Sequence, residues 1–158
     1  MTAPSLLFAL KDFIGEKTKN MQLGDGDRPP AVHLGWLPNA GQPEVINGKL
    51  IPPRASDSDF PYIIIRALDG EDGEDYGSVK IRILVGTKSA DDEGYLDILH
   101  LIEVLRNSLL STAVIGQRFE IKRPLKWTLY EDQPYPEWIG EIMTTWTVPT
   151  VLREVEGL

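Results

Sequence analysis

The stretch SVKIRILVGT at residues 78–87 constrains the fold of this chain most, because its apolar and polar side chains alternate. Lys80 and Arg82 fall on one face of an extended chain, and the opposite face is apolar. A helix would instead need apolar side chains three and four residues apart. The stretch therefore predicts a strand that buries one face, whose apolar side chains are Val79, Ile81, Ile83 and Val85.

Residues 60–68, FPYIIIRAL, predict the strand that precedes it. Their apolar run has no alternation, which is typical of a strand buried on both faces. The intervening residues 69–77, DGEDGEDYG, combine glycines with acidic side chains, a composition typical of a loop. Two strands on either side of a glycine-rich loop predict an antiparallel hairpin.

Three more strands are predicted from similar patterns. Residues 31–38 and 118–132 alternate, with Trp36 on the same face as Val32 and Leu34 in the first. Pro124 places the second at a sheet edge, or bulges or breaks it, because proline cannot donate to the ladder. The closing strand at 138–149 lies between two prolines, and one of its faces carries Ile142, Thr144, Trp146 and Val148.

Two helices are predicted from apolar side chains that recur three and four residues apart. The first lies within residues 1–20, and its stripe is Leu6, Leu7, Leu10, Phe13 and Ile14. The second lies within residues 89–113, where Ser89 and Asp92 resemble a capping box. Its stripe is Tyr95, Ile98, Leu99, Ile102, Leu105 and Leu109, widened by Leu101, Val104 and Leu110.

The order of these elements predicts an α+β fold in a single domain at 1–158, since 158 residues suit one hydrophobic core. We expect a mainly antiparallel sheet of about five strands, packed by one long helix, plus an N-terminal helix. The core sheet and helix fall at 60–149, a long loop at 39–59 and a C-terminal tail at 150–158. Loops of that length are usually functional or mobile, and both alternatives stay open here.

The charge and composition exclude several classes of protein. The formal net charge is −8, and a chain that wraps nucleic acid needs an excess of Lys and Arg on one face. There are no cysteines, so disulfides, thiolate nucleophiles and zinc–thiolate sites are excluded. The first residues do not match a signal peptide, and no run approaches the roughly 18 apolar residues of a membrane span. We therefore expect a soluble protein with no membrane partner.

Catalytic motifs are scarce in this sequence. The two histidines, His33 and His100, have no nucleophile or carboxylate pattern beside them, and no nucleophile elbow is present. The glycine-rich segments at 23–27 and 68–73 lack the Lys-Ser/Thr ending of a phosphate-binding loop. We therefore predict that the chain is not an enzyme, and that it has no catalytic residues, no metal and no cofactor.

Two clusters have more than one interpretation. The acidic side chains of the loop at 69–77 are either solvated, or hold a cation, or form a negative rim in an oligomer. The aromatic side chains near the last turn either stack on a sugar or base, or pack across paired strands. The turn prolines favour packing for this second cluster, which consists of Trp127, Tyr130, Tyr135 and Trp138.

Three stretches together resemble the tail-terminator proteins of long-tailed bacteriophages. They are DFPYIIIR at 59–66, the helix that follows ILVGT at 83–87, and QPYPEWIGEIMTTWTVP at 133–149. The resemblance covers most of the chain from Phe60 onward and the N-terminal helix, but not the loop at 39–59. It implies a non-enzymatic virion protein that forms a ring, commonly a hexamer. Such a ring caps the tail tube, stops its polymerisation and joins the head or connector.

The resemblance also implies partners and a location: the tail-tube protein, a head-completion or connector protein, and the head–tail junction after assembly in the host cytoplasm. DNA passes through the channel without specific binding, which an acidic lumen would permit. The alternatives are another head–tail joining or tail-tube protein of the same virion, or a small ligand-binding module or enzyme. The predicted interaction surface draws on the loop at 39–59, the acidic loop, the closing strand and the tail; its residues are Arg54, Asp69, Glu71, Asp72, Glu74, Asp75 and Glu141.

Overall fold

The computed structural model describes residues 3–37, 44–51 and 57–152 of the chain. Two helices, α1 and α2, and eight strands, β1 to β8, make up the regular structure of these residues, with a 3-10 turn at Asp57–Asp59. The helices are α1 (Ala3–Thr18) and α2 (Tyr95–Thr112). The strands are β1 (Ala31–Leu34), β2 (Glu44–Ile46), β3 (Lys49–Ile51), β4 (Tyr62–Asp72), β5 (Gly77–Lys88), β6 (Val114–Ile115), β7 (Phe119–Leu129) and β8 (Glu137–Val148).

Six strands form one sheet in the order β1-β4-β5-β8-β7-β6, and β2 pairs with β3 in a separate hairpin. The α+β class is confirmed, as is the antiparallel hairpin of β4 and β5. The prediction of about five mainly antiparallel strands is wrong in detail, because the sheet has six strands and is mixed. β1 runs parallel to β4. The chain between Leu34 and Tyr62 exceeds the dozen or so residues that a parallel crossover needs.

Both helices contribute buried side chains to one core against one face of the sheet. The predicted apolar faces of β5 and β8 are buried there, and Trp146 and Ile83 are fully inaccessible to solvent. Helix α1 contributes Leu6, Leu10 and Ile14, and α2 contributes Ile98, Leu101, Ile102, Leu105 and Leu109. Tyr95, which its spacing places on the inner stripe of α2, is 37% exposed because it lies in the first turn of the helix.

The predicted capping box of the second helix is wrong. Helix α2 begins at Tyr95, and its N-cap residue Gly94 makes no side-chain capping bond. Ser89 lies before the helix, where its hydroxyl donates to Asp25 Oδ1 at 2.9 Å. Asp91 Oδ1 accepts from the backbone N–H of Glu93 at 2.9 Å, so the turn before the helix has its own hydrogen bonds.

The first strand ends earlier than its alternation predicts. Gly35 follows Leu34 with a φ of 79°, a left-handed conformation that turns the chain out of the sheet. Trp36 is therefore 69% exposed and does not share the buried face of Val32 and Leu34. The Arg66 guanidinium instead lies 4.6 Å from the centre of the Trp36 ring.

Of the alternatives predicted at Pro124, an edge, a bulge or a break, the structure shows an irregularity in the pairing of β7. Strand β7 pairs with β8 at residues 120–122 and again at 126–129, and the register shifts between Lys122 and Lys126. The loop predicted at 39–59 contains the β2–β3 hairpin, whose turn residues Asn47 and Gly48 have φ values of 52° and 76°. This is the tight turn that an Asn-Gly pair favours. Arg54, the rest of that loop and residues 153–158 of the tail lie outside the described residues.

None of the described helices has the length and apolar character needed to cross a membrane.

Candidate functional site

The face of the sheet opposite the helices carries the side chains that alternate with the core. At one end it is covered by a second small core, in which Phe60, Tyr62 and Ile64 pack with Leu37 and Leu84. Burial, followed by the charges of Glu137 and Asp59, raises the pKa of Tyr62 from 10.0 to about 12. No described helix packs on the remainder of this face, which we call the open face.

Basic side chains run across the middle of the open face. Arg66 of β4 lies opposite Arg82 of β5, and Lys80 lies one step further along β5. Like charges that face each other across paired strands destabilise the sheet. Burial, and then the charge of Arg82, lower the pKa of the Arg66 guanidinium below its ordinary value. A carboxylate beside these guanidinium groups would offset their repulsion.

Glu141 of β8 supplies part of that negative charge. Its Oε2 lies 3.0 Å from Arg82 Nε, so the two side chains form an ion pair without a hydrogen bond at Nε. Burial and then Glu141 also raise the pKa of the nearby Tyr130 hydroxyl. Glu141 therefore lies on the open face, as its alternation predicts, but it already has partners within its own chain.

The acidic segment is mostly strand rather than loop. Strand β4 continues through Asp72 and β5 begins at Gly77, so only residues 73–76 form the turn. The reason is that β5 offers a paired partner along this whole stretch, with Asp69 opposite Lys80 and Glu71 opposite Ser78. Glu74 and Asp75 are exposed in the turn, and Asp72 accepts from the Thr150 hydroxyl at 3.2 Å.

These carboxylates do not converge on a cation. In the described ranges, no three Asp, Glu, His or Cys side chains form a group that could hold a metal ion. Asp69 and Glu71 lie on a strand, and Glu74 and Asp75 lie in the turn beyond it. Within the described part of the chain, the acidic side chains are thus presented along an edge.

Strands β4 and β7 each have one backbone edge that is only partly paired among the described residues. Strand β1 covers β4 only at Tyr62–Ile65, so the outer side of residues 67–72 has no partner there. Strand β6 covers β7 only at residues 119–120, which leaves residues 122–129 open. We call residues 67–75 the acidic edge and residues 122–129 the basic edge.

The two edges carry opposite charge. The acidic edge, ALDGEDGED, holds five carboxylates and no basic side chain, whereas the basic edge, KRPLKWTL, holds three basic side chains and no carboxylate. The acidic edge lies on β4 and the basic edge on β7, and two strands, β5 and β8, separate them in the sheet. Sequence reasoning missed the basic edge. The basic residues of KRPLK can be read from the sequence. Only the order of the strands in the sheet shows that they lie on an edge opposite the acidic edge.

The aromatic cluster is a structural anchor. The Trp138 indole donates from Nε1 to the carbonyl of Ser89 at 3.0 Å, and the Tyr135 hydroxyl donates to the carbonyl of Ala90 at 2.5 Å. The two rings meet edge to face with centroids 5.9 Å apart, and Tyr95 packs on Trp138. The rings thus hold the segment before α2 against the turn before β8. These rings pack within the chain, but against each other and the segment before α2 rather than across paired strands as predicted.

Trp127 lies apart from that anchor. It is 47% exposed on the basic edge, where it lines a shallow cleft with Arg106 and Glu103 of α2. Leu99 and Ile102 form the apolar part of this cleft. The Arg106 Nε atom is buried and has no hydrogen-bond partner among the described residues. A buried donor without an acceptor is costly, and it is normally satisfied by water or a ligand.

Hydrogen bonds hold the glycine-rich segment at 23–27 against the rest of the chain. The backbone N–H of Gly24 donates to Asp97 Oδ2 at 2.8 Å, and that of Asp25 donates to the carbonyl of Lys88 at 3.0 Å. Hydrogen bonds from Ala90 N–H and then from Ser89 hold the pKa of the Asp25 carboxyl below its ordinary value. These two amides are already used within the chain, so they are not free to cradle a phosphate.

The two histidines do not share a site. His33 lies on β1 in register with Ile64, on the open face, whereas His100 is exposed on α2 on the other side of the sheet.

No protein-family model matches this chain, and no curated protein is detectably similar to it.

Proposed function

We propose that this chain is a structural protein of a long-tailed phage virion that assembles into a ring, as tail terminators do. The observation that carries the proposal is the pair of open sheet edges with opposite charge on one molecule. Two different and complementary surfaces on one chain produce head-to-tail contacts, and such contacts close into rings when the rotation allows. The resemblance in sequence supplies the place of that ring, at the head-proximal end of the tail.

In this role the ring, a hexamer by resemblance, caps the tail tube and stops its polymerisation. It then offers its other side to a head-completion or connector protein, and DNA passes through the central hole. A protomer with a net charge of −8 suits such a channel, because an acidic lumen does not retain a polyanion. No catalytic residue or cofactor takes part. A head–tail joining or tail-tube protein of the same virion is the alternative.

The first test is the mass of the purified chain in solution, measured by sedimentation equilibrium and paired with negative-stain electron microscopy. We expect a closed ring of identical subunits with a hole wide enough for duplex DNA. If the purified chain is monomeric, it is mixed with isolated tail tubes of the phage whose genome encodes it. Gold labelling should then place the chain at one end of each tube. A monomer that binds neither itself nor a tube end contradicts the proposal.

A further inference from the structure

We propose that the ring contact joins the acidic edge of one copy to the basic edge of the next. This inference rests on the proposed function and adds to it the surfaces through which the subunits meet. The occupant of each edge is a second copy of this chain. The contact follows from the unpaired strands, the charge of their side chains and an unsatisfied donor at the basic edge.

The charges on the edges explain why a second copy is the partner. Exposed strand edges carry charged side chains, prolines and bulges that prevent unwanted pairing. If both edges carried charges of the same sign, two copies of the chain would repel each other. Here the acidic edge carries Asp69, Glu71, Asp72, Glu74 and Asp75, while Lys122, Arg123 and Lys126 lie on the basic edge. The opposite charges on the two edges therefore attract a second copy of the chain in one orientation.

Helix α2 has, beside the basic edge, a donor that lacks the acceptor an incoming carboxylate would supply. Arg106 Nε is buried beside Trp127 without an acceptor in the described part of the chain. A carboxylate bonded to a guanidinium forms a charge-assisted hydrogen bond, which is stronger than a neutral one. The nearby Glu103 lines the same cleft but makes no ion pair with Arg106 there. The acidic edge of a neighbour brings the missing acceptor.

Each edge also has an apolar side chain to bury. Leu68 of the acidic edge is 39% exposed and Trp127 of the basic edge is 47% exposed. Aromatic side chains at the centre of a contact commonly carry most of its binding energy. Because the Pro124 bulge interrupts the ladder of β7, the backbone pairing between copies is short, and charge makes a larger contribution. The contact is therefore expected to weaken as salt rises.

The test uses two variants of the full chain and their mixture. Glu71→Lys/Glu74→Lys/Asp75→Lys gives the acidic edge a net positive charge, and Arg123→Glu/Lys126→Glu gives the basic edge a net negative charge. Each variant alone places like charges at every junction, so self-association should weaken by about 100-fold or more. Mixed in equal amounts, the two variants again have opposite charges at both kinds of junction, and rings should return. Analytical ultracentrifugation measures both results.

The matched control is Asp12→Lys/Asp92→Lys, which reverses two exposed carboxylates away from both edges. It should keep the ring, and circular dichroism should show that all variants retain the wild-type melting temperature within a few degrees. Rings that persist in both edge variants overturn this inference and leave the proposed function intact. A wild-type chain that forms no ring is a failure of the proposed function itself. Loss of duplex-DNA binding by the basic-edge variant, with its ring intact, would assign that edge to nucleic acid instead.

Discussion

Replacing Trp146 by alanine should lower the free energy of unfolding by about 3–5 kcal/mol, the usual cost of deleting a large aromatic side chain from a core. Trp146 is fully buried near the end of β8, in the same core as Val79 and Ile121. Both of these residues lie opposite or beside it, on the strands that flank β8. The cavity left by the indole cannot close, because paired strands hold its walls.

The polar end of Trp146 adds to that cost. The indole Nε1 donates to Thr144 Oγ1 at 2.9 Å, and the Thr144 hydroxyl donates to the carbonyl of Ile81 at 3.0 Å. Removing the indole leaves a buried hydroxyl with one partner fewer. Urea unfolding followed by circular dichroism measures the change. Trp36→Ala is the matched control, and we expect it to cost about 1 kcal/mol because that side chain is 69% exposed. Equal losses for the two variants would contradict the placement of Trp146 in the core.

Replacing Gly86 by alanine should destabilise the chain by about 1–3 kcal/mol, the range for inserting a methyl group where there is no room. Gly86 lies opposite Tyr62 across the β4–β5 pair, and the tyrosine ring covers it. A Cβ atom built on Gly86 would lie 2.4 Å from Tyr62 Cζ. Tyr62 is itself 7% exposed and packs on Phe60, so its ring has little freedom to move away.

Gly15 provides a control with the opposite sign. It lies inside α1, and a Cβ atom there meets nothing within 4 Å. Gly15→Ala should therefore stabilise the chain by about 0.5–1 kcal/mol, because alanine favours a helix more than glycine does. Thermal unfolding of both variants gives the comparison. A Gly86→Ala variant that is as stable as the wild type would show that Tyr62 does not lie over the glycine.

The long elements of this fold could be predicted because their side-chain periodicity is strong. The alternation of β5 and β8 and the stripe of α2 each extend over ten residues or more, so the faces that they bury are readable from the sequence. The short elements could not be predicted in this way. Strand β6 has two residues, and β2 and β3 have three each, which is too few for a period to emerge.

The candidate site was harder to predict than the fold. The acidic residues at 69–75 stand out in the sequence, but their composition predicts a loop because glycine and aspartate are depleted in strands. Pairing with β5 overrides that preference through Asp72. The basic edge depends on the order of strands in space, since Lys122 and Lys126 become edge residues only because β6 is too short to cover them. A single sequence holds no direct signal of strand order.

Particular contacts define the role of residues 133–149. Trp138 and Tyr135 bond the backbone at Ser89 and Ala90, and Trp146 fills the core. The stretch is thus a central strand with its anchor, since β8 lies between β5 and β7. Trp127 of β7, by contrast, lies on the surface that we assign to the contact with the neighbouring subunit.

Tail length is the measurement that tests the proposed role most directly. The gene for this chain is interrupted in the genome that carries it, and the particles produced are examined by electron microscopy. We predict tails of variable and excessive length that are not joined to heads, with normal particles restored by the wild-type chain but not by Arg123→Glu/Lys126→Glu. Tails of uniform, wild-type length joined to filled heads would contradict a terminator role.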